Sequence, residues 1–271
     1  MSSEIERLLE AAPALARAEG PDAEDAYWLA VTQLHAAPID SVFDRCRAWA
    51  ASHDPDERRL AADVLGQLGF AARAYPFRSV TLPLLNALLS DASARVLQAA
   101  LTALGHLGAR ESIPAIARLA QHPDSSVRHA VAFALLAQPD GLAVSTLISL
   151  SRDEAVAVRD WATFGLGSQL ELDTPALRDA LLTRLDDPDP DTRAEAVCGL
   201  AKRGDQRAVA HLRRILEGDN VGTAEVEAAR DLGSPELLEP LMRLRTRWLD
   251  DSALLESAIS HCAMRAGGGS G

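Results

Sequence analysis

Cysteine is scarce. Cys46, Cys198 and Cys262 are the only three in 271 residues, too few and too scattered for a disulfide framework or a zinc site, and that usage fits a reducing compartment. No run of about 18 apolar residues exists to span a bilayer, and the start, Met1-Ser-Ser-Glu-Ile-Glu-Arg7, lacks the apolar core of a secretory signal. A soluble, cytoplasmic protein with no membrane partner is therefore expected. Aromatic residues make up only 4% of the chain, so a core would be packed by alanine and leucine. No segment alternates apolar and polar residues for long enough to be a strand. Lysine occurs once, at Lys202, a usage that reflects genome composition rather than recognition.

Chemical motifs are missing as well. There is no phosphate-cradling Gly-rich loop, no Cys-x-x-Cys and no Gly-x-Ser-x-Gly elbow. The seven histidines (35, 53, 106, 122, 129, 211 and 261) are never followed by Glu, and no two stand four apart, so no metal and no cofactor are expected. Paired carboxylates such as Asp186-Asp187 and Asp250-Asp251 read as turn and cap residues rather than as acid and base. Catalysis is not expected.

What the sequence does contain is repetition. Segments beginning at Arg58, Leu97, Arg128, Arg159 and Arg193 follow one template, typified by Leu97-Gln-Ala-Ala-Leu-Thr-Ala-Leu-Gly-His-Leu-Gly108, and a degenerate copy runs from Gly222 to Gly233. The steps are 39, 31, 31 and 34 residues, the signature of a solenoid in which each unit buries its apolar face against its neighbours. Each repeat reads as two helices. Leu181, Leu182 and Leu185 mark the first, Asp187-Pro-Asp-Pro190 breaks it, and Ala196, Val197, Leu200 and Ala201 form the stripe of the second. Small residues at the first core positions (Ala61, Ala62, Ala100, Ala162, Ala196) permit close helix approach, and glycines (66, 69, 105, 108, 204, 233) are read as helix stops. The predicted fold is all-α, a right-handed α-solenoid of helix pairs.

An Asp six residues before the repeat Arg, as in Asp153 with Arg159 and Asp187 with Arg193, belongs to the inter-helix turn. Stacking would bring each Arg toward a neighbouring carboxylate, so Arg58, Arg128, Arg159, Arg193, Asp153 and Asp187 are read as a structural ladder of capped turns and ion pairs. Residues 1–52 form an N-terminal helical cap with helices over Ser2–Arg17, Asp22–His35 and Ile39–Ala51, packed by Tyr27, Trp28, Phe43 and Trp49. Residues 53–264 form the solenoid of about six repeats, closed by helices over Pro235–Trp248 and Asp251–Met264. Around 71–79 the period lengthens, with Tyr75-Pro-Phe-Arg78 as the additional loop. Residues 265–271, ending Gly-Gly-Gly-Ser-Gly, have flexible-linker composition and read as an appended tail.

The net charge of −12 is uneven: residues 1–50 carry 9 acidic and 4 basic side chains, and residues 151–200 carry 11 and 5. Residues 51–150 and 201–250 each balance. A nucleic-acid-binding solenoid needs a basic groove, so nucleic acid is excluded as a partner. On the helical wheel the strip opposite the core of the second helices contains Arg59, Asp63, Gln98, Thr102, His106, His129 and Phe133 in the first half. It continues through Asp160, Trp161, Phe164, Ser168, Glu195, Cys198, Lys202, Thr223, Glu227 and Asp231. Phe133, Asp160, Trp161, Phe164, Glu195, Lys202, Glu227 and Asp231 are the candidate protein-binding residues. Trp161 and Phe164 are either exposed anchors beside carboxylates or extra core in the groove between repeats, and Phe133 on its own reads as core.

The segments Val158-Arg-Asp-Trp-Ala-Thr-Phe-Gly-Leu-Gly167 and Asp187-Pro-Asp-Pro-Asp-Thr-Arg-Ala-Glu-Ala-Val-Cys-Gly-Leu-Ala-Lys-Arg-Gly-Asp205 resemble bacterial HEAT-repeat proteins of the phycobilin-lyase-like (PBS-lyase) type, over about residues 54–260. The ending Val226-Glu-Ala-Ala-Arg-Asp-Leu-Gly-Ser-Pro-Glu-Leu-Leu-Glu-Pro-Leu241, followed by Trp248-Leu-Asp-Asp-Ser-Ala-Leu-Leu-Glu256, is similar to HEAT proteins encoded beside Rhs polymorphic toxins, which are regarded as immunity proteins. That resemblance implies a monomer that sequesters a toxin in an acidic concave groove, with a basic toxin or nuclease domain as partner. A lyase-like chaperone or maturation factor acting on another protein is the alternative that it implies. Deoxyhypusine hydroxylase shares the architecture but needs His-Glu pairs that this chain lacks, and HEAT-type DNA glycosylases need a basic channel.

Overall fold

The computed structural model describes residues 2–37, 39–70, 75–249 and 251–267. The appended tail read from the sequence lies largely outside these residues, as do positions 71–74 of the inserted loop. All regular structure among the described residues is helical: α1 (Ser2–Arg17), α2 (Ala23–His35), α3 (Asp40–Ala50), α4 (Pro55–Leu65), α5 (Arg78–Leu88), α6 (Ala94–His106), α7 (Ile113–Ala117), α8 (Ser125–Ala134) and α9 (Gly141–Leu150). There follow α10 (Val156–Phe164), α11 (Pro175–Leu182), α12 (Pro190–Lys202), α13 (Val209–Leu216), α14 (Thr223–Leu232), α15 (Leu238–Leu244) and α16 (Ser252–Gly267). No described helix is long and apolar enough to cross a membrane.

The chain divides into two compact units, Met1–Thr146 and Leu147–Gly271. In the first, α1 and α2 pack on α4, and α4, α6 and α8 stack in succession. In the second, α10, α12, α14 and α16 stack, with α11, α13 and α15 packed outside them. Each unit is thus a stretch of α-solenoid in which the second helices carry most of the helix-to-helix contact. The stripe positions are buried accordingly: Leu60, Val64, Leu101 and Leu104 in the first unit, Leu166, Ala196, Leu200 and Leu232 in the second are all closed to solvent.

Helix starts are fixed locally. Asp54, Asp124 and Asp189 accept hydrogen bonds from backbone N–H groups of the first turn, and Thr174 does so for α11. The glycines divide into two groups. Gly69, Gly108, Gly204 and Gly233 have positive φ and end helices. Gly66 and Gly105, also read as stops from the sequence, differ: Gly66 is the C-cap of α4, but in a right-handed turn, and Gly105 lies inside α6, and at both the next helix comes close. A Cβ on Gly66 would lie 2.7 Å from the Ala103 Cα, and one on Gly105 would lie 3.0 Å from the Ala134 Cα. The repeat's Gly-x-x-Gly therefore combines a close approach with a stop.

The cap residues also separate. Tyr27 and Trp49 are buried, Phe43 stacks on Phe77 at 4.7 Å, and the Tyr27 hydroxyl donates to Asp63 Oδ2 at 2.5 Å. Trp28 does not bury as the sequence reading expects: it is 43% exposed and meets Tyr27 edge-to-face at 5.3 Å. The insertion is folded down where it is described, since Phe77 stacks on the cap and Arg78 pairs with Glu111 at 2.9 Å.

Candidate functional site

The repeat arginines have one common anchorage. In each, Nη1 donates to the carbonyl six residues back: Arg58 to Ser52 at 2.9 Å, Arg128 to His122 at 2.9 Å, Arg159 to Asp153 at 2.9 Å and Arg193 to Asp187 at 2.5 Å. The opposite edge of Arg159 grips Asp187 in a fork, Nε to Oδ2 at 2.7 Å and Nη2 to Oδ1 at 3.0 Å. Arg58 grips Asp91 in the same way at 2.5 and 3.0 Å. The acceptors also organise their own turns: Asp91 and Asp187 accept the N–H two residues on, and Asp153 accepts that of Ala155 at 2.9 Å. Burial opposes ionisation of Asp187, but the Arg159 guanidinium and the Asp189 N–H hold its carboxyl below the ordinary aspartate value. These residues are tied up in turns and inter-repeat pairs.

The candidate binding residues are distributed over both units. Phe133 lies in the first, half-buried rather than core, with its ring edge-on to His106 at 5.3 Å. Also on the first unit, Arg59 lies 4.3 Å from the Tyr27 ring centre and 3.4 Å from Asp63, and burial pushes the Asp63 carboxyl upward. A cleft of about 520 Å³ opens there between α2, α4 and α6.

The second unit holds the other candidates. Trp161 and Phe164, one turn apart on α10, form an edge-to-face pair at 5.7 Å and 85°, and both are half-buried. They are neither fully exposed anchors nor closed core. Beside Trp161, Asp160 has its Oδ1 buried without a hydrogen-bond partner. Burial, together with the fields of Asp189 and Asp191, raises its pKa. Glu195 on α12 accepts from the Ser168 hydroxyl at 2.9 Å. Burial and the neighbouring charges of Asp160, Glu225 and Asp191 raise it too. The Cys198 thiol is pushed up to about 12 by burial and by Glu225, Glu195, Glu227 and Asp231. Asp160, Glu195, Glu225, Glu227 and Asp231 thus form an acidic set on α10, α12 and α14, in which Asp160 and Glu225 act on Glu195, and Glu195, Glu225, Glu227 and Asp231 act on Cys198. Lys202 faces elsewhere: its ammonium donates to Glu171 at 2.7 Å and to the Ser168 carbonyl at 3.3 Å. Asp231 is exposed and pairs with Arg230 at 3.1 Å.

Two members of this region escaped the helical-wheel reading. Glu225 is not on the strip opposite the core, yet it is half-buried and accepts from the Gly222 N–H at 2.9 Å. The spacing Gly222-Thr-Ala-Glu225 is that of a capping box, which is the signal that reveals it. Arg203 is given no role by the sequence reading. Its five N–H groups meet backbone carbonyls of Gly167, Gly199, Leu166, Leu170 and Leu172 at 2.7–3.0 Å. It thereby fixes the π-helical turn Gly165–Gln169 against α12, and nothing in the local sequence announces that.

No group of three or more His, Cys, Asp or Glu side chains among the described residues is arranged to hold a metal ion. The second unit's cluster offers charge and apolar surface, and its one thiol stays protonated near neutrality.

Comparison with known proteins fits this architecture. The family model described as HEAT repeats matches residues 81–167, 144–233 and 179–259. Protein YibA of Escherichia coli (strain K12) is 30% identical over 208 residues, covering 74% of this chain and 73% of that protein. The X-ray structure of E. coli YibA superposes with a TM-score of 0.76 at 22% identity, covering 96% of this chain and 95% of the other. Kap95p, solved in complex with RanGDP, matches at a TM-score of 0.60 and 13% identity over 96% of this chain and 42% of its own. The CpcE–CpcF complex of phycocyanin lyase from Nostoc sp. PCC7120 matches at 0.49 and 18% identity, over 82% and 87%. With helix pairs in both units and a family match running from residue 81 to residue 259, the chain belongs to the HEAT-repeat family and is a relative of YibA.

Proposed function

We propose that this chain is a non-catalytic protein-binding scaffold that uses the acidic face of its second unit to hold a basic partner, and that it serves as an immunity protein whose partner is a toxin domain. The supporting observation is the gathering of Asp160, Glu195, Glu225, Glu227 and Asp231 on α10, α12 and α14, where burial first, and then neighbouring carboxylates, raise the pKa values of Asp160 and Glu195. Folding alone gains nothing from like charges held together beside a half-buried aromatic pair, whereas a cationic surface docking there would relieve the repulsion and cover the rings. Stacked helix pairs supply the extended surface that such binding requires.

The test uses a partner captured from native cells and identified, then purified. Reversing Glu227 and Asp231 to arginine should slow its association by about tenfold or more and flatten the salt dependence of the rate, with the melting temperature of the scaffold unchanged. Trp161→Ala should weaken affinity by about 2 kcal/mol, the scale of an interface hot spot. Unaltered association after charge reversal, with the fold intact, would show that the partner binds elsewhere.

A further inference from the structure

The repeat ladder has one rung without its carboxylate. Two residues ahead of each second helix's N-cap stands a turn residue: Asp91 ahead of Ser93, Asp187 ahead of Asp189, and Asn220 ahead of Gly222. Arg58 and Arg159 use Nη1 to grip their own turn, which aims Nε and Nη2 at the Asp of the next turn. Arg193 is anchored identically, with Nη1 donating to the Asp187 carbonyl at 2.5 Å and to that of Pro188 at 3.0 Å. Its Nε and Nη2 therefore lead toward the next turn, where the matching side chain is the neutral amide of Asn220. Among the described residues neither nitrogen has an acceptor. The nearby carboxylates are turned to other cations: Asp219 to Arg247 at 3.6 Å, and Asp186 to Arg214 at 3.9 Å. Arg193, His211, Arg214 and Asn220 line an open cleft of about 670 Å³ together with Asp186, Asp187 and Asp219, with Val197 and Ile215 as its apolar wall.

We infer that this cleft is a docking site for an acidic side chain of a bound polypeptide, whose carboxylate takes against Arg193 the place that Asp187 takes against Arg159. The occupant is set by geometry internal to the molecule. The same guanidinium edge, held by the same backbone anchor, binds a carboxylate in a two-point fork at two other rungs, and a planar fork matches a planar carboxylate. Val197 and Ile215 suit the aliphatic stem of a glutamate or an adjoining apolar residue. The site rests on the reading that this chain binds protein, and it is independent of the sign of the charge on the α12–α14 face.

The test is an NMR titration of the full chain, following the arginine Nε–H signals as a capped hexaglutamate peptide is added at low ionic strength. The Arg193 signal should shift saturably, and the Arg159 signal, already engaged, should not. Asn220→Asp supplies the carboxylate in cis and should weaken the peptide by at least about tenfold, while the protein melts no lower than before. Inorganic phosphate in a parallel titration should leave Arg193 unmoved at matched charge. No shift at Arg193, an equal shift in Asn220→Asp, or a response to phosphate but not to peptide would each overturn the assignment. None of these results depends on the charge reversals at Glu227 and Asp231, so this site and the acidic face stand or fall separately.

Discussion

Asp187 and Glu195 are carboxylates of the same unit, and their surroundings drive them in opposite directions. Asp187 is closed to solvent, but Arg159, Arg184 and backbone N–H groups favour its charged form, so its folded pKa is lowered. The stability that it contributes is present above the ordinary aspartate pKa and is lost as pH falls through the lowered value. Glu195 is raised, so its ionisation destabilises the fold: the contribution is full below the ordinary glutamate pKa and disappears as pH rises through the raised value. Asp187→Asn should therefore cost about 3–5 kcal/mol at neutral pH, the scale for stranding a buried partner, with the deficit vanishing in strong acid. Glu195→Gln, which can keep the Ser168 hydrogen bond, should raise the melting temperature at pH 7 and leave it unchanged near pH 3. Thermal melts of both variants across pH check the two signs together. Cys198, whose thiol is pushed up to about 12, should react with iodoacetamide at pH 7.5 far more slowly than an exposed cysteine. Ala137 supplies a further check: it is exposed with φ +54 where other repeats place glycine. Ala137→Gly should stabilise the protein by about 0.5–1 kcal/mol in a denaturant titration.

At the scale of elements, α12 is held to the preceding turn by two devices that act together. Gly199 lets the backbones meet, since an added Cβ would lie 2.5 Å from the Gly167 Cα. Arg203 then closes the carbonyls that the π-helical turn leaves open. Arg203→Lys keeps the charge but offers three donors on one centre, leaving buried carbonyls unmatched, and should cost about 2–4 kcal/mol. Gly199→Ala should cost about 1–3 kcal/mol through overpacking, because backbone rather than a flexible side-chain end stands in the way. Denaturant melts measure both, and the exposed Met242→Ala serves as a neutral reference. These pairs explain why the template was only half legible. Its apolar stripe and turn aspartates announced the helix pairs, with α1 to α3 falling within a residue or so of their predicted bounds. Gly66 and Gly105 looked like stops, and nothing marked Gly199, because helix-to-helix distance has no signature in one dimension.

For the whole molecule, the repeat period and the family match agree on stacked helix pairs, and the chain folds as two compact units. Charge is divided as composition suggests, with the acidic surplus of residues 151–200 gathered on turns and on the face of α10 and α12. Association with a basic partner should accelerate as ionic strength falls, and stopped-flow rates between about 50 and 500 mM salt would show it through the shortening screening length. A rate independent of salt would remove electrostatic steering from the proposed mode of binding.

The sequence by itself determined the all-α class, the helix pairs and the turn chemistry, because helical periodicity, proline breaks and Asp caps act over a few residues and leave a local record. It also brought Arg and Asp into register, since a fixed spacing inside a repeat becomes a fixed distance once repeats stack. The tertiary structure alone decided which rungs are filled. Arg159 meets Asp187 while Arg193 shares an open cleft with Asn220, a difference that depends on which turn lies against which guanidinium. It likewise decided that Trp161 and Phe164 are half-buried and that Arg203 is spent on carbonyls, because burial is set by neighbours about 30 residues away in sequence.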